Sequence, residues 1–97
     1  MEGILKELRI VIAPAAQREI RKLARRELEI AFEAIELLSQ NPRPNGMEKI
    51  QGHPKFYRIS AGRNHRVIYH IWSGDVVLIL VVRDRKNAYR RLDDLDP

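Results

Sequence analysis

The sequence predicts a small α+β fold in which an N-terminal strand and a helical hairpin precede an antiparallel β meander. Three observations lead to this prediction. The chain has 97 residues, enough for one hydrophobic core. One long stretch has the apolar spacing of a helix, and three stretches with strand patterning follow it. Since 44% of the residues are hydrophobic and 32% are charged, we expect residues 1–97 to fold as a single domain.

The first half of the chain predicts a strand followed by helix. From Leu8 the run LRIVIAP is apolar except for one arginine, and it ends at Pro14, which suits the first turn of a helix. Between Pro14 and Asn41 there is no glycine or further proline, and apolar residues recur at helical spacing. This pattern fits one long helix or two helices packed as a hairpin, with the cluster around Arg25 and Arg26 as the expected break.

The second half predicts three strands. Turn-forming residues from Ser39 to Gly46, SQNPRPNG, end the helical section. KFYRISAG then alternates apolar and polar residues as far as Gly62, and NHRVIYHIW stops at SGD. Residues 76–82, VVLILVV, form the continuous apolar run of a central strand that is covered on both faces. With the helices against one face of an antiparallel sheet, the other face is expected to stay open for something else.

The positive charge of the chain lies mainly in its second half. Residues 1–54 contain nine lysines and arginines against eight acids, whereas residues 55–92 contain nine against two. The last five residues hold three aspartates and no base, which leaves a net charge of +5. A segregated basic excess predicts a polyanionic partner, either nucleic acid or an acidic protein.

Several classes of protein are excluded by what the sequence lacks. There is no cysteine, so disulfides and thiol catalysis are excluded. No apolar run approaches the roughly 18 residues of a membrane span, and no signal-peptide pattern is present, so we expect a cytoplasmic protein without a membrane partner. The three histidines have no metal-ligand spacing, and there is no Gly-rich phosphate loop. We therefore expect neither a metal site nor a cofactor.

Arginines near one end of the predicted sheet form a candidate phosphate site. A hairpin that turns at Gly62 would bring Arg58 and Arg66 toward the basic cluster that follows the last strand, residues 83–86. Guanidinium groups offer planar, bidentate donors to phosphate oxygens. Because a single strand arginine is more often a solvated surface residue, the prediction depends on the whole set.

Three stretches resemble the RelE/ParE superfamily, the toxins of type II toxin–antitoxin pairs. EKIQGHPKFYRI is similar to the family's Lys-Leu-x-Gly loop and second strand, and HRVIYHI to its R-[LV]-[IV]-Y strand. VVRDRKNAYRRL is similar to its C-terminal basic exit with a tyrosine. The resemblance covers nearly the whole chain. It implies the RelE-like fold and a cognate antitoxin as partner in a hetero-oligomer.

Two activities occur in this superfamily. RelE-like members are ribosome-dependent endoribonucleases, and ParE-like members act on DNA gyrase. The resemblance implies the RelE-like activity, a metal-independent cleavage of mRNA in the ribosomal A site that inhibits translation, with ribosome and mRNA as partners. A ParE-like gyrase inhibitor and a non-catalytic basic nucleic-acid-binding domain stay open as alternatives.

The resemblance also assigns residues. Arg66 matches the phosphate-binding arginine of the RelE-like pattern, either Arg83 or Arg85 matches a later arginine, and Tyr89 matches the C-terminal tyrosine. In the second strand many members carry two basic residues at positions i and i+2, whereas this chain has only one, Arg58. The general base is not evident, since Tyr89 and His65 are both imperfect candidates. The predicted catalytic residues are Arg58, Arg66, Arg83, Arg85 and Tyr89; the predicted RNA contacts are Lys49, Lys55, Arg63, His65 and Lys86.

Overall fold

Two helices and a five-stranded sheet form the part of the chain that the computed structural model describes, residues 8–73 and 75–95. The predicted α+β class, with its N-terminal strand, helical hairpin and β meander, is confirmed. In chain order the elements are β1 (Arg9–Ile12), α1 (Pro14–Arg21), α2 (Arg25–Gln40), β2 (Glu48–Ile50), β3 (His53–Ala61), β4 (His65–Trp72), β5 (Val76–Asp84) and a 3-10 turn (Leu92–Asp94).

The helical section is a hairpin because the chain turns at residues 22–24, beside the predicted break. Pro14 occupies the first turn of α1, where its missing N–H leaves no hydrogen bond unmade. The Glu27 carboxylate accepts the Ala24 N–H at 3.2 Å, which satisfies one of the free donors at the start of α2. Neither helix in the described segments has the length and apolar character needed to cross a membrane.

The sheet has the strand order β1-β5-β4-β3-β2, and its first pair is parallel. The expectation of a purely antiparallel sheet is therefore wrong for one pair. The meander from β2 to β5 crosses the sheet from the far edge and brings β5 beside β1 in the same direction. Strand β2 was not predicted, because it has only three residues and two of them, Glu48 and Lys49, are charged and exposed.

The turn between β3 and β4 lies where the glycine predicted it. Gly62 has a φ of 71°, a left-handed conformation that glycine adopts without strain. A side chain there would also place its Cβ 3.2 Å from the Ile30 side chain of α2. The turn therefore requires glycine for its backbone and for its close approach to the helix.

Both faces of the sheet are covered by apolar packing. The helices cover one face, with Leu38, Val67 and Tyr69 fully buried between the layers. A second core lies on the opposite face, because residues 85–95 fold back across it. The expectation of an open second face is thus wrong at its centre. The residues of this second core are Ile50, Phe56, Ile68, Leu80, Val81, Ala88 and Leu92.

Tyr69 links the helix-side core to the loop after α2, and its burial makes stability depend on pH. Its hydroxyl donates to the Pro42 carbonyl at 2.7 Å. Burial first, and then the neighbouring Tyr57, raise the pKa of Tyr69 from 10.0 to about 12, although Arg43 acts in the opposite direction. Because the folded-state pKa is raised, this contribution to stability is complete below pH 10 and is lost as the pH rises from about 10 to about 12.

We expect Tyr69→Phe to lower the free energy of unfolding by about 1 kcal/mol at neutral pH, since one hydrogen bond is removed. The stability difference between wild type and variant should shrink as the pH rises from about 10 toward 12. Urea unfolding of both proteins at pH 7, 9.5 and 11 measures this difference. A difference that stays constant across these three values would contradict the assignment.

Candidate active site

A cavity of about 490 Å³ lies between β2, β3 and the C-terminal segment. Its size is that of a typical ligand site. Its walls bring together a carboxylate, a guanidinium group, an imidazole, an ammonium group and a phenol. The lining residues are Glu48, Lys49, Ile50, Gln51, His53, Arg58, Tyr89 and Leu92.

Arg58 is the central charged group of this cavity. It lies opposite Glu48 in the β2–β3 register, and its guanidinium donates to the Glu48 carboxylate. The Tyr89 ring faces the same guanidinium, with 5.8 Å between Cζ and the ring centroid, a distance at which cation–π attraction acts. The Arg58 side chain keeps 30% of its exposure and Glu48 60%, so both can reach a ligand. Arg58 and Tyr89, two of the predicted catalytic residues, thus lie side by side.

His53 forms another part of the cavity wall. Its ring stacks on Phe56 with 5.4 Å between centroids and 5° between planes. Its Nε2 atom lies 3.4 Å from the Asp93 carboxylate in the 3-10 turn. These contacts hold the imidazole in one orientation, and histidine is the residue whose charge most readily changes near neutral pH.

Arg66 lies on the same face of the sheet as Arg58, two positions further along the β3–β4 register. It stands opposite Ser60 on β3 and opposite Arg83 on β5. Its guanidinium donates to the carbonyls of His65 at 2.9 Å and Arg63 at 3.3 Å. Backbone carbonyls carry no net charge, so the positive charge of Arg66 stays available to an anion.

Arg83 stands opposite Arg66 in the β4–β5 register, but it does not line the cavity. Its Nε atom donates to the Glu19 carboxylate of α1 at 2.5 Å, and Nη1 donates to the Arg90 carbonyl at 2.7 Å. Only 21% of the side chain is exposed. Like charges directly opposite on neighbouring strands repel, and the Glu19 carboxylate offsets the proximity of Arg83 to Arg66.

The other predicted residues are dispersed around the cavity. Lys49 lines it, and Lys55 lines an adjoining depression of about 330 Å³ that shares His53 and Leu92 with it. His65 lies on the opposite, helix-covered face, in a depression with Glu19. The predicted RNA contacts Arg63 and Lys86 and the predicted catalytic residue Arg85 are exposed in the β3–β4 turn and in the turn after β5.

Sequence reasoning missed Glu48 and His53. Glu48 lies on strand β2, which the sequence pattern did not predict. The register between β2 and β3 is irregular between Lys49 and Ile50, so the nearness of Glu48 to Arg58 could not be read from alternation. The signal that could have found them is the stretch EKIQGH itself, which places both residues just before the arginine strand.

Residues 10–89 match a family model described as "ParE toxin of type II toxin-antitoxin system, parDE". No curated protein gives a significant sequence match to the chain. The match runs from β1 to the tyrosine in the cavity wall, so it includes every residue that lines the cavity except Leu92.

Three solved structures show the same fold over almost their whole length. The toxin–antitoxin complex RelBE2 from Mycobacterium tuberculosis has a TM-score of 0.70 and 23% identity, covering 81% of this chain and 99% of that one. The archaeal RelE–RelB complex from Pyrococcus horikoshii OT3 has a TM-score of 0.70 and 25% identity, with 84% and 99% covered. The YoeB/ParE toxin from Agrobacterium tumefaciens has a TM-score of 0.69 and 16% identity, with 80% and 99% covered.

Proposed function

The chain belongs to the ParE toxin family of type II toxin–antitoxin systems, and from this premise we propose that it is an endoribonuclease that cleaves mRNA in the ribosomal A site. Its partner is an antitoxin, as in the toxin–antitoxin complexes among the similar structures. In the proposed role the free toxin inhibits translation in the cytoplasm, and the antitoxin keeps it inactive in a hetero-oligomer.

The observation that carries the proposal is the grouping of Glu48, Arg58 and Tyr89 in one cavity. A binding surface for a protein needs no carboxylate at the centre of its basic site. RNA cleavage needs an oxygen or nitrogen base, a cation that stabilises the phosphate, and a proton donor. The cavity offers all three, because His53 also lines it.

The proposed reaction uses the RNA's own 2′-hydroxyl as nucleophile. The 2′-oxygen attacks the adjacent phosphorus, and Glu48 accepts the hydroxyl proton. The bond from phosphorus to the 5′-oxygen breaks, and protonated His53 donates its proton to that oxygen. The products are a 2′,3′-cyclic phosphate and a free 5′-hydroxyl. Arg58 stabilises the charge that develops on the phosphate in between.

Tyr89 and Arg66 have supporting roles in this proposal. Tyr89 is 46% exposed and presents an aromatic ring beside Arg58, so it can stack on a base next to the cleaved bond; such stacking is worth about 1–3 kcal/mol. In this proposal Arg66, whose contacts are with backbone carbonyls, binds a neighbouring phosphate of the same strand.

A cationic surface at one end of the sheet supports the proposal that the substrate is mRNA bound to a ribosome. We call it the basic pole and define it as residues 21–26, 62–66 and 83–87. These three segments contain nine lysines and arginines and one acid, Asp84, whose carboxylate accepts from Asn87. Such a surface attracts the phosphate backbone of folded RNA. The segments meet at one depression of about 350 Å³, to which they contribute Lys22, His65 and Arg83.

Neutralising part of the basic pole should weaken ribosome binding. For Lys22→Gln/Arg26→Gln we expect the salt dependence of the affinity to become shallower by about 1 for every phosphate that the variant no longer neutralises. Sedimentation of the toxin with ribosomes across a range of salt concentrations measures this slope. The control Arg9→Gln/Arg43→Gln removes the same charge elsewhere, and an equal change in both proteins would contradict a localised docking surface.

The proposed activity is tested by primer extension on mRNA from a purified translation system. We expect cuts confined to the A-site codon, dependent on ribosomes, and abolished in Glu48→Gln. Analysis of the ends should show a 2′,3′-cyclic phosphate. Cleavage of free mRNA at the same sites and rates would contradict the ribosome dependence.

The second candidate function is inhibition of DNA gyrase, which the ParE description of the matching family favours. It requires binding without acid–base chemistry, so Glu48→Gln should leave it unchanged. A supercoiling assay run beside the ribosome assay separates the two: active wild-type protein that blocks supercoiling and leaves ribosome-bound mRNA intact would replace the nuclease proposal.

A further inference from the structure

Arg83 does not line the cavity in which the chemistry is proposed. Its neighbours are Glu19 of α1 and the C-terminal segment, and its guanidinium connects them through two hydrogen bonds. These bonds commit two of its five N–H groups to partners within the fold, and only 21% of the side chain is exposed. The geometry therefore points to a different role from the one that the family resemblance implies.

Glu19 is held in place by a second bond. Strand β1 pairs with β5 only as far as Ile79, so the next part of β5 has a free edge toward α1. One Glu19 carboxylate oxygen accepts the Val82 N–H at 3.0 Å, and the other accepts from Arg83. The carboxylate is only 23% exposed. It thus satisfies a sheet-edge donor and fixes the direction of the arginine with the same group.

The other end of this connection reaches the residue after Tyr89. Arg83 Nη1 binds the Arg90 carbonyl at 2.7 Å. Ala88 and Leu92 are buried on either side, which anchors the segment but leaves the peptide around Tyr89 to be oriented. The ring itself is half-exposed, and its contact with Arg58 is a cation–π contact without a hydrogen bond. The orientation of the Tyr89 ring therefore depends on the conformation of its backbone.

We propose that Glu19 and Arg83 are positioning residues, which hold the Arg90 carbonyl and thereby keep the Tyr89 ring over Arg58. This inference rests on the proposed nuclease function for its effect on rate. It also makes a prediction of opposite sign to the phosphate-contact role. If Arg83 bound RNA, removal of the Glu19 charge would release the arginine and strengthen binding; if the pair positions Tyr89, the same removal lowers turnover.

The test is Glu19→Gln, with Glu36→Gln as control because it makes the same change on the exposed face of α2. On programmed ribosomes we expect kcat to fall about ten- to hundredfold in Glu19→Gln, as for other displacements of about 1 Å near a reacting group. KM should stay at or below that of wild type, because Glu19 also lines the depression of the basic pole, and the control should match wild type in both kcat and KM. An unchanged kcat with a lower KM would support the phosphate-contact role and overturn the proposal.

A double-mutant cycle separates positioning from a general loss of stability. If Glu19 acts through Tyr89, then Tyr89→Ala should cost much less in Glu19→Gln than in wild type, because the ring is already misplaced there. Equal costs in both backgrounds would overturn the proposal. Arg83→Lys, which keeps the charge but cannot bridge two acceptors with a planar fork, should show the same loss if Glu19→Gln does not fold.

Hydrogen exchange gives a readout that needs no activity. We expect the Arg90 and Asn87 amides, which bond within the C-terminal segment, to exchange faster in Glu19→Gln than in wild type or Glu36→Gln. Unchanged exchange would overturn the proposal even if cleavage falls. If the wild type cleaves no RNA, the nuclease function fails, and exchange still decides whether the pair holds the segment.

Discussion

Glu48→Gln is expected to reduce ribosome-dependent mRNA cleavage by about 10²- to 10⁴-fold, the usual contribution of a general base. Glutamine keeps the size of the side chain and can still accept a hydrogen bond from Arg58. It cannot take the proton of the 2′-hydroxyl. The loss should therefore appear in kcat, while binding to ribosomes is retained or strengthened because a negative charge has left the cavity.

Single-turnover cleavage on ribosomes stalled with a defined A-site codon measures this effect. Glu33→Gln on the exposed face of α2 is the control with the same change in charge, and its rate should equal that of wild type. A Glu48→Gln rate within a few-fold of wild type would exclude Glu48 as the base and leave Tyr89 as the candidate base.

Arg58→Ala is expected to lower cleavage by about 10²- to 10³-fold, the cost of removing one contact to the charge that develops in the transition state. Arg58→Lys should recover only part of this loss, because an ammonium group gives a point charge without planar, paired donors. Arg58→Ala also removes the cationic partner of Tyr89, since the ring centroid lies 5.8 Å from the guanidinium carbon.

The rates of Arg58→Ala and Arg58→Lys should be compared with Arg9→Lys, a substitution at an exposed arginine at the opposite edge of the sheet. Circular dichroism of each variant confirms that the sheet is intact. If Arg58→Ala cleaves like wild type, the cavity is not the site of the chemistry.

Much of the fold followed from the sequence because its signals are local. Apolar spacing predicted the helical hairpin, Gly62 predicted the β3–β4 turn, and the unbroken apolar run after residue 75 predicted a strand covered on both faces. The parallel pairing of β1 with β5, and the C-terminal segment that completes the second core, could not be predicted in this way. Both depend on where distant segments meet, which alternation and turn residues do not encode.

The same distinction, between local signals and contacts of distant segments, applies to the residues of the site. Arg58 was predicted from the strand pattern and Tyr89 from the motif resemblance, and the fold places the ring 5.8 Å from the guanidinium carbon. Glu48 and His53 were missed because a three-residue strand and an irregular register place them there. Arg83 matched a pattern in sequence, but its partners Glu19 and Arg90 come from opposite ends of the chain. A sequence match could not reveal those contacts.

In the proposed nuclease, the ion pair between Glu48 and Arg58 competes with an incoming phosphate for the guanidinium of the free toxin. An incoming phosphate must displace a carboxylate that is tethered beside the guanidinium, at an effective concentration on the order of millimolar or above. A transcript that diffuses past at a much lower concentration loses this competition. An mRNA held in a ribosome that has already bound the basic pole would compete with the carboxylate at a similar effective concentration. Selectivity for translated messages would then begin in a single pair of side chains, before any base is read.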